Sequence, residues 1–188
     1  MKKTLLLVSF IASCMFAQHS TNGNISLVFN GEKINLPINV VSIHKDNGII
    51  ISIKAEKEDS SIKQMVKLEL GLNELSSKSD AETIEGTRID IRTRDNKTNT
   101  GKELSMWFDS ASRNDKNYFE ATHYGVFNKG ERVSWEINSL SMELNIINVE
   151  YKDGALHING ELNGTFRSTF APEGQIAEIK DCKFEIII

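Results

Sequence analysis

From Ala155 to Phe170 the chain keeps a two-residue rhythm for longer than anywhere else. Leu156, Ile158, Gly160, Leu162, Gly164, Phe166, Ser168 and Phe170 share one parity, and His157, Asn159, Glu161, Asn163, Thr165, Arg167 and Thr169 share the other. That pattern predicts a β-strand with one dry face. A hairpin turning at Asn163-Gly164 would pair Leu162 with Thr165, send Thr165, Arg167 and Thr169 into the core and leave Phe166 and Phe170 in water. The continuous strand avoids this reversal. Glycines on its inward row, Gly160 and Gly164, predict a bend, a bulge or a crowded approach.

The same alternation runs through most of the chain. Ile25, Leu27 and Phe29 lead to Asn30-Gly31, and Ile34, Leu36 and Ile38 follow it with the parity inverted, as a two-residue type I′ hairpin pairing Phe29 with Glu32 requires. Pro37 has no amide to donate and predicts an edge or a break in the second strand. Val41 and Ile43 face Ile49, Ile51 and Ile53 across Asp46-Asn47-Gly48 with unchanged parity, so a three-residue loop is expected. Ile62 to Leu70 suits alternation better than a helical period. Gly71 to Thr87 is irregular and polar, and Ser79 with Glu82 has capping-box spacing for a short turn. Arg88 to Thr93 alternates with Ile89 and Ile91 inward, and Arg94 to Gly101 reads as a polar loop.

Leu104 to Phe108, Tyr118 to Tyr124 and Val133 to Ile137 read as further strands. Leu140 to Tyr151 reaches the central strand through an Asp153-Gly154 turn that pairs Tyr151 with Leu156 and Val149 with Ile158. Upstream, Leu140, Met142, Leu144 and Ile146 have the wrong parity for that pairing, which a bulge near Ile146 and Ile147 repairs. In the last strand Cys182, Phe184 and Ile186 face one way and Asp181, Lys183 and Glu185 the other. Some nine to eleven short strands with almost no helix predict an all-β fold, an antiparallel β-sandwich or a partly open β-barrel.

Composition adds an address. Lys2 and Lys3 followed by the apolar run Leu5 to Phe16 read as an export signal over residues 1–17, leaving residues 18–188 as one domain that opens with a loose polar stretch from His19 to Asn24. Cleavage before Gln18 gives a soluble exported protein. The alternative is Ile11-Ala12-Ser13-Cys14, which resembles a lipobox and would make Cys14 a lipidation site and the protein membrane-anchored. Losing Lys2 and Lys3 lowers the basic count from 22 to 20 against 26 acidic residues and takes the formal charge from −4 to −6. Nucleic acid is therefore not an expected partner. Only Cys182 remains inside the domain, so no internal disulfide can form.

Two stretches of the C-terminal third, GALHINGELNGTFRSTF and EGQIAEIKDCKFEI, resemble the ends of small exported and lipoprotein β-domains of uncharacterised function frequent in Bacteroidota. Those chains run "I-x-G-x-F-x-G-T-F" into "I-x-x-G-x-F"; here Leu162 stands where an aromatic is common and Cys182 where a glycine is. Leu27-Val28-Phe29-Asn30-Gly31 is similar to their "x-x-F-N-G-K-x-W" opening, without the tryptophan. The resemblance implies a fold and an envelope address, and no chemistry.

Candidate chemistry is sparse. His44, His123 and His157 lack metal-ligand spacing, and no Gly-x-Ser-x-Gly, phosphate loop or calcium loop occurs, so no metal or other cofactor is implied. Carboxylates such as Glu103 and Asp109 form no recognisable pair. Arg88, Asp90, Arg92 and Arg94 share a row that is either a sugar- or carboxylate-binding ladder or a solvated strand face. Six of the twelve aromatic residues after Ala17 lie between Trp107 and Phe127. Trp107, Tyr118 and Tyr124, with His123 or Arg113 as polar contacts, are the expected ligand platform if there is one. The function expected is a non-catalytic binding or assembly module of the envelope, for a glycan or a protein partner. A small hydrolase whose catalytic groups meet only in space is the alternative, and a purely structural or inhibitory partner domain would be favoured by a flat surface together with a long unpaired edge strand.

Overall fold

The computed structural model describes residues 23–45, 49–72, 87–108, 119–169 and 176–188. They form eleven strands and, among the described residues, no helix: β1 (Asn24–Phe29), β2 (Glu32–Lys45), β3 (Ile49–Glu58), β4 (Ile62–Leu72), β5 (Thr87–Asp95), β6 (Thr100–Phe108), β7 (Phe119–Asn128), β8 (Glu131–Glu136), β9 (Ser139–Lys152), β10 (Ala155–Arg167) and β11 (Ile176–Ile187). Each strand pairs antiparallel with its sequence neighbour from β1 to β8 and from β9 to β11, and β11 returns to pair with β1. The product is one eleven-stranded sheet curled into a half-barrel, the open-barrel form of the predicted fold, with β8 and β9 as its free edges.

The turns explain the registers. Asn30 and Gly31 have φ of 48° and 82°, Lys129 and Gly130 51° and 90°, and Asp153 and Gly154 53° and 82°. Positive φ at both central residues is the type I′ requirement, and it pairs Phe29 with Glu32, Asn128 with Glu131 and Lys152 with Ala155. Tyr151 meets Leu156 and Val149 meets Ile158, as the alternation predicts. Tyr151 nevertheless is 77% exposed, since the hairpin tip runs past the core. The expected bulge is at Ile147: Asn148 opposes Asn159 and Ile146 opposes Gly160, leaving Ile147 unpaired and 55% exposed. A second bulge, at Asp181 with φ 50°, flips the inward row of β11 from Ala177 and Ile179 to Cys182, Phe184 and Ile186. Asn163 Oδ1 accepts the Asp181 amide there at 2.9 Å.

Pro37 marks a break and not an edge. Asn24 opposes Pro37 at the end of the β1 ladder, and the β3 ladder begins at Ile38, so the proline stands where β2 changes partners. Arg94 to Gly101 is less of a loop than expected: β5 runs to Asp95 and β6 starts at Thr100. Asp95 Oδ1 tightens the connection by accepting the amides of Lys97 and Thr98 at 2.8 and 2.9 Å. The Asp46-Asn47-Gly48 loop and the Ser79-Glu82 turn lie outside the described residues.

The concave face carries the core. Phe29, Leu36, Ile51, Leu70, Met106, Leu144, Ile158 and Ile186 have no exposed surface. On β10, Ile158, Leu162 and Phe166 alternate inward with the two glycines, and the glycines are crowded. A Cβ on Gly160 would collide with the ring of Phe184 on β11, its cross-strand partner, and one on Gly164 would come 2.7 Å from the Phe166 ring. The aromatic lies where the missing side chain would be.

Polar struts cross the concave side. Asn30, in the β1–β2 turn, donates from Nδ2 to Tyr124 Oη on β7 and to the Ile176 carbonyl, each at 3.0 Å, and its Oδ1 accepts the Glu178 amide at 2.6 Å. Glu32 Oε1 accepts from Thr93 Oγ1 of β5 at 2.6 Å and from Gln64 Nε2 of β4 at 3.1 Å. Thr93 and Gln64 are buried, so these bonds satisfy groups that would otherwise lose water without compensation. In a flat sheet β2 and β5, or the β1–β2 turn and β7, could not touch. The bonds therefore belong to the curl.

Candidate functional site

Of the expected aromatic platform, the structure describes the side chains of Tyr124 and His123, which stand on opposite faces of β7. Tyr124 faces inward at 5% exposure, stacked on Trp135 with centroids 6.2 Å apart, and its hydroxyl accepts from Asn30. Burial raises its phenol above the ordinary range, partly offset by that hydrogen bond. His123 precedes it, on the opposite face, half-buried between Ser105 of β6 and Glu136 of β8 in the ladder. Alternation thus separates the two residues. Trp107 occupies β6 opposite Arg88 and Glu120. Tyr118, Arg113 and Cys14 lie outside the described residues.

The arginine row is where the structure adds most. Arg88, Asp90, Arg92 and Arg94 all stand on the convex face of β5, opposite the inward Ile89, Ile91 and Thr93. Arg88 Nε bonds Asp90 Oδ2 at 2.8 Å, and Asp90 Oδ1 takes the Ser105 hydroxyl of β6. Arg92 Nη2 lies 3.1 Å from Glu103 Oε2, and Arg132 of β8 reaches across β7 to put its Nε on Glu103 Oε1. Gly125 makes that reach possible. It opposes Glu103 in the ladder, and a Cβ there would stand 2.9 Å from Glu103 Cγ.

Glu103 is only 6% exposed, and two guanidiniums balance the charge that burial would otherwise penalise. Beside it, Arg88, Asp90, Arg92, Glu103, Ser105 and Arg132 line a cleft of about 250 Å³. Arg94 turns away, with its guanidinium 5.4 Å over the Phe127 ring. The row was visible in the sequence, whereas Glu103 and Arg132 were not tied to it. Extending the β6 alternation back from Leu104 would have put Glu103 on the same face; nothing local points to Arg132.

Two further features stand on the outside. The bulge at Ile147 borders a concavity of about 360 Å³ whose polar lining is Asn24, Ser26, Asn159, Glu161, Lys183 and Glu185. The other is the open edge. β9 spans 14 residues and β8 six, so at roughly 3.3 Å per residue they reach about 46 and 20 Å. Ile137 and Asn138 alone connect them, so the two edges start together and β9 runs on well past β8. Along this opening Ile147, Tyr151 and Val133 are exposed at 55%, 77% and 54%.

Among the described residues no group of three or more His, Cys, Asp or Glu is placed to hold a metal ion, and no helix is long and apolar enough to cross a membrane. No protein-family model matches the chain, and neither does any curated protein or solved structure.

Proposed function

We propose that this chain is a non-catalytic binding and assembly module of the cell envelope, which takes a protein partner on the open edge of its half-barrel by strand addition. The observation that carries this is β9: the joint-longest strand, hydrogen-bonded to β10 along one side and bordering the gap on the other. Such an edge presents a row of backbone donors and acceptors that an extended peptide can complete, with side-chain contacts setting the choice of peptide. Its own features restrict indiscriminate pairing. Glu143, Glu150 and Lys152 put charge on the edge and the Ile147 bulge interrupts it, so a partner must match both charge and register. The leader-like first seventeen residues and the C-terminal resemblance support the envelope address. A glycan reading draws on the amide- and carboxylate-lined concavity beside Ile147.

Photo-crosslinking residues placed at Ile147 and Tyr151, with Lys54 on the far convex face as control, test the proposal in the cells that make the protein. Adducts from the two edge positions to one defined partner peptide are expected. Equal labelling from Lys54, or adducts only to carbohydrate, would sink strand addition.

A further inference from the structure

We propose that the convex-face cleft between β5, β6 and β8 is a binding site for an acidic sugar, a hexuronate unit of a glycan. Arg88, Arg92 and Arg132 line it, and each engages a carboxylate through a single nitrogen. A guanidinium has five N–H donors in a planar fork, so all three retain donors for a ligand. The side chains of all three are about half exposed, while those of the carboxylates that hold them, Asp90 and Glu103, are 14% and 8% exposed. The acids thus act as buried anchors that orient the arginines before any ligand arrives, which reduces the ordering cost of binding.

Charge selects the ligand class. Three guanidiniums against two carboxylates leave a positive centre on a chain whose formal charge is −4. A carboxylate fits that centre in fork-to-fork geometry. The same lining holds Ser105, whose oxygen keeps acceptor capacity for a ligand hydroxyl after donating to Asp90. A hexuronate offers a carboxylate and hydroxyls on one ring, whereas an acidic peptide brings carboxylates without the ring of hydroxyls. The missing side chain at Gly125 lets Arg132 close the cleft from the third strand. None of these residues lies on β9, so the site stands or falls independently of strand addition.

Calorimetric titration of the full chain tests this with galacturonate and mannuronate oligomers, the neutral galactose oligomer of equal length and a glutamate oligomer. At least one uronate should bind, more weakly as salt rises. Arg88→Gln should weaken it about tenfold, the size of a lost charged hydrogen bond. Its thermal midpoint should fall only slightly, since Asp90 keeps the Ser105 hydroxyl and the Glu103 pairs are untouched. Arg132→Lys should also weaken binding while keeping a positive charge beside Glu103; it serves if Arg132→Gln fails to fold. Equal binding of the neutral oligomer, tighter binding of the glutamate oligomer, failure of both uronates, or indifference to Arg88→Gln in a folded protein would each overturn the proposal.

Discussion

Cys182 shows how one residue takes its chemistry from its place. It faces the core of β11 at 3% exposure, and burial pushes its thiol up to about 12. A thiol whose folded pKa lies above its unfolded value contributes stability that is complete below the unfolded value, near pH 8.5, and is lost as pH rises toward the folded one. Native protein at pH 8 should therefore resist iodoacetamide and react in denaturant. Rapid native labelling would contradict the packing of β10 against β11. The sequence showed Cys182 on the row of Phe184 and Ile186, so its burial was legible. The Asp181 bulge just before it was overlooked, although Ala177 and Ile179 stand on the other parity and offered the signal.

Elements are joined here by turns whose side chains finish the hydrogen bonding. Asp59 Oδ1 accepts the Ser61 hydroxyl and the amides of Ser61 and Ile62 between β3 and β4, and Asp95 accepts the amides of Thr98 and Lys97 between β5 and β6. These donors hold both carboxyls below the usual carboxylate range, the Ser61 hydroxyl being the largest influence on Asp59 and the Thr98 amide on Asp95. A depressed folded pKa gives stability that is present above the unfolded value, about 3.9, and is lost as pH falls through the folded one. The gap in thermal midpoint between the native protein and Asp95→Ala should thus be widest at neutral pH and shrink below about pH 4. A gap unchanged from neutral pH to pH 2 would show that the turn does not depend on the charge. The strands themselves were largely legible, because a dry face imposes period two and two of the three type I′ turns carry the favoured Asn-Gly or Asp-Gly pair, the third being Lys129-Gly130. The β5–β6 connection was not, because Asp95 shortens it through bonds that composition does not reveal.

At the scale of the whole molecule, the curl depends on contacts between strands far apart in the sheet. Asn30→Gly keeps the positive φ of the turn while removing three side-chain hydrogen bonds, two to β11 and one to Tyr124. At about 1 kcal/mol each, the loss should be roughly 2 to 3 kcal/mol, and Tyr124→Phe should cost about 1 kcal/mol. Chemical denaturation of both variants and of their combination would measure this. A combined loss smaller than the sum is expected, since the two share one bond. Full additivity would mean that the strut across the concave side carries no energy.

What the sequence by itself determined is one-dimensional: the two-residue alternation of most strands, the two-residue turns at Asn30-Gly31 and Asp153-Gly154, and a bulge near Ile146 and Ile147. Those follow from local sterics and from parity, which a chain carries in its order. The tertiary structure alone decided that the sheet curls into a half-barrel open between β8 and β9, that Tyr124 becomes a core strut and not a platform partner of His123, and that Arg132 meets Glu103 over Gly125. The pairs involved are 94 and 29 residues apart in the chain, so no window of sequence contains them. Curvature brings them together, and curvature is set by all the strands at once.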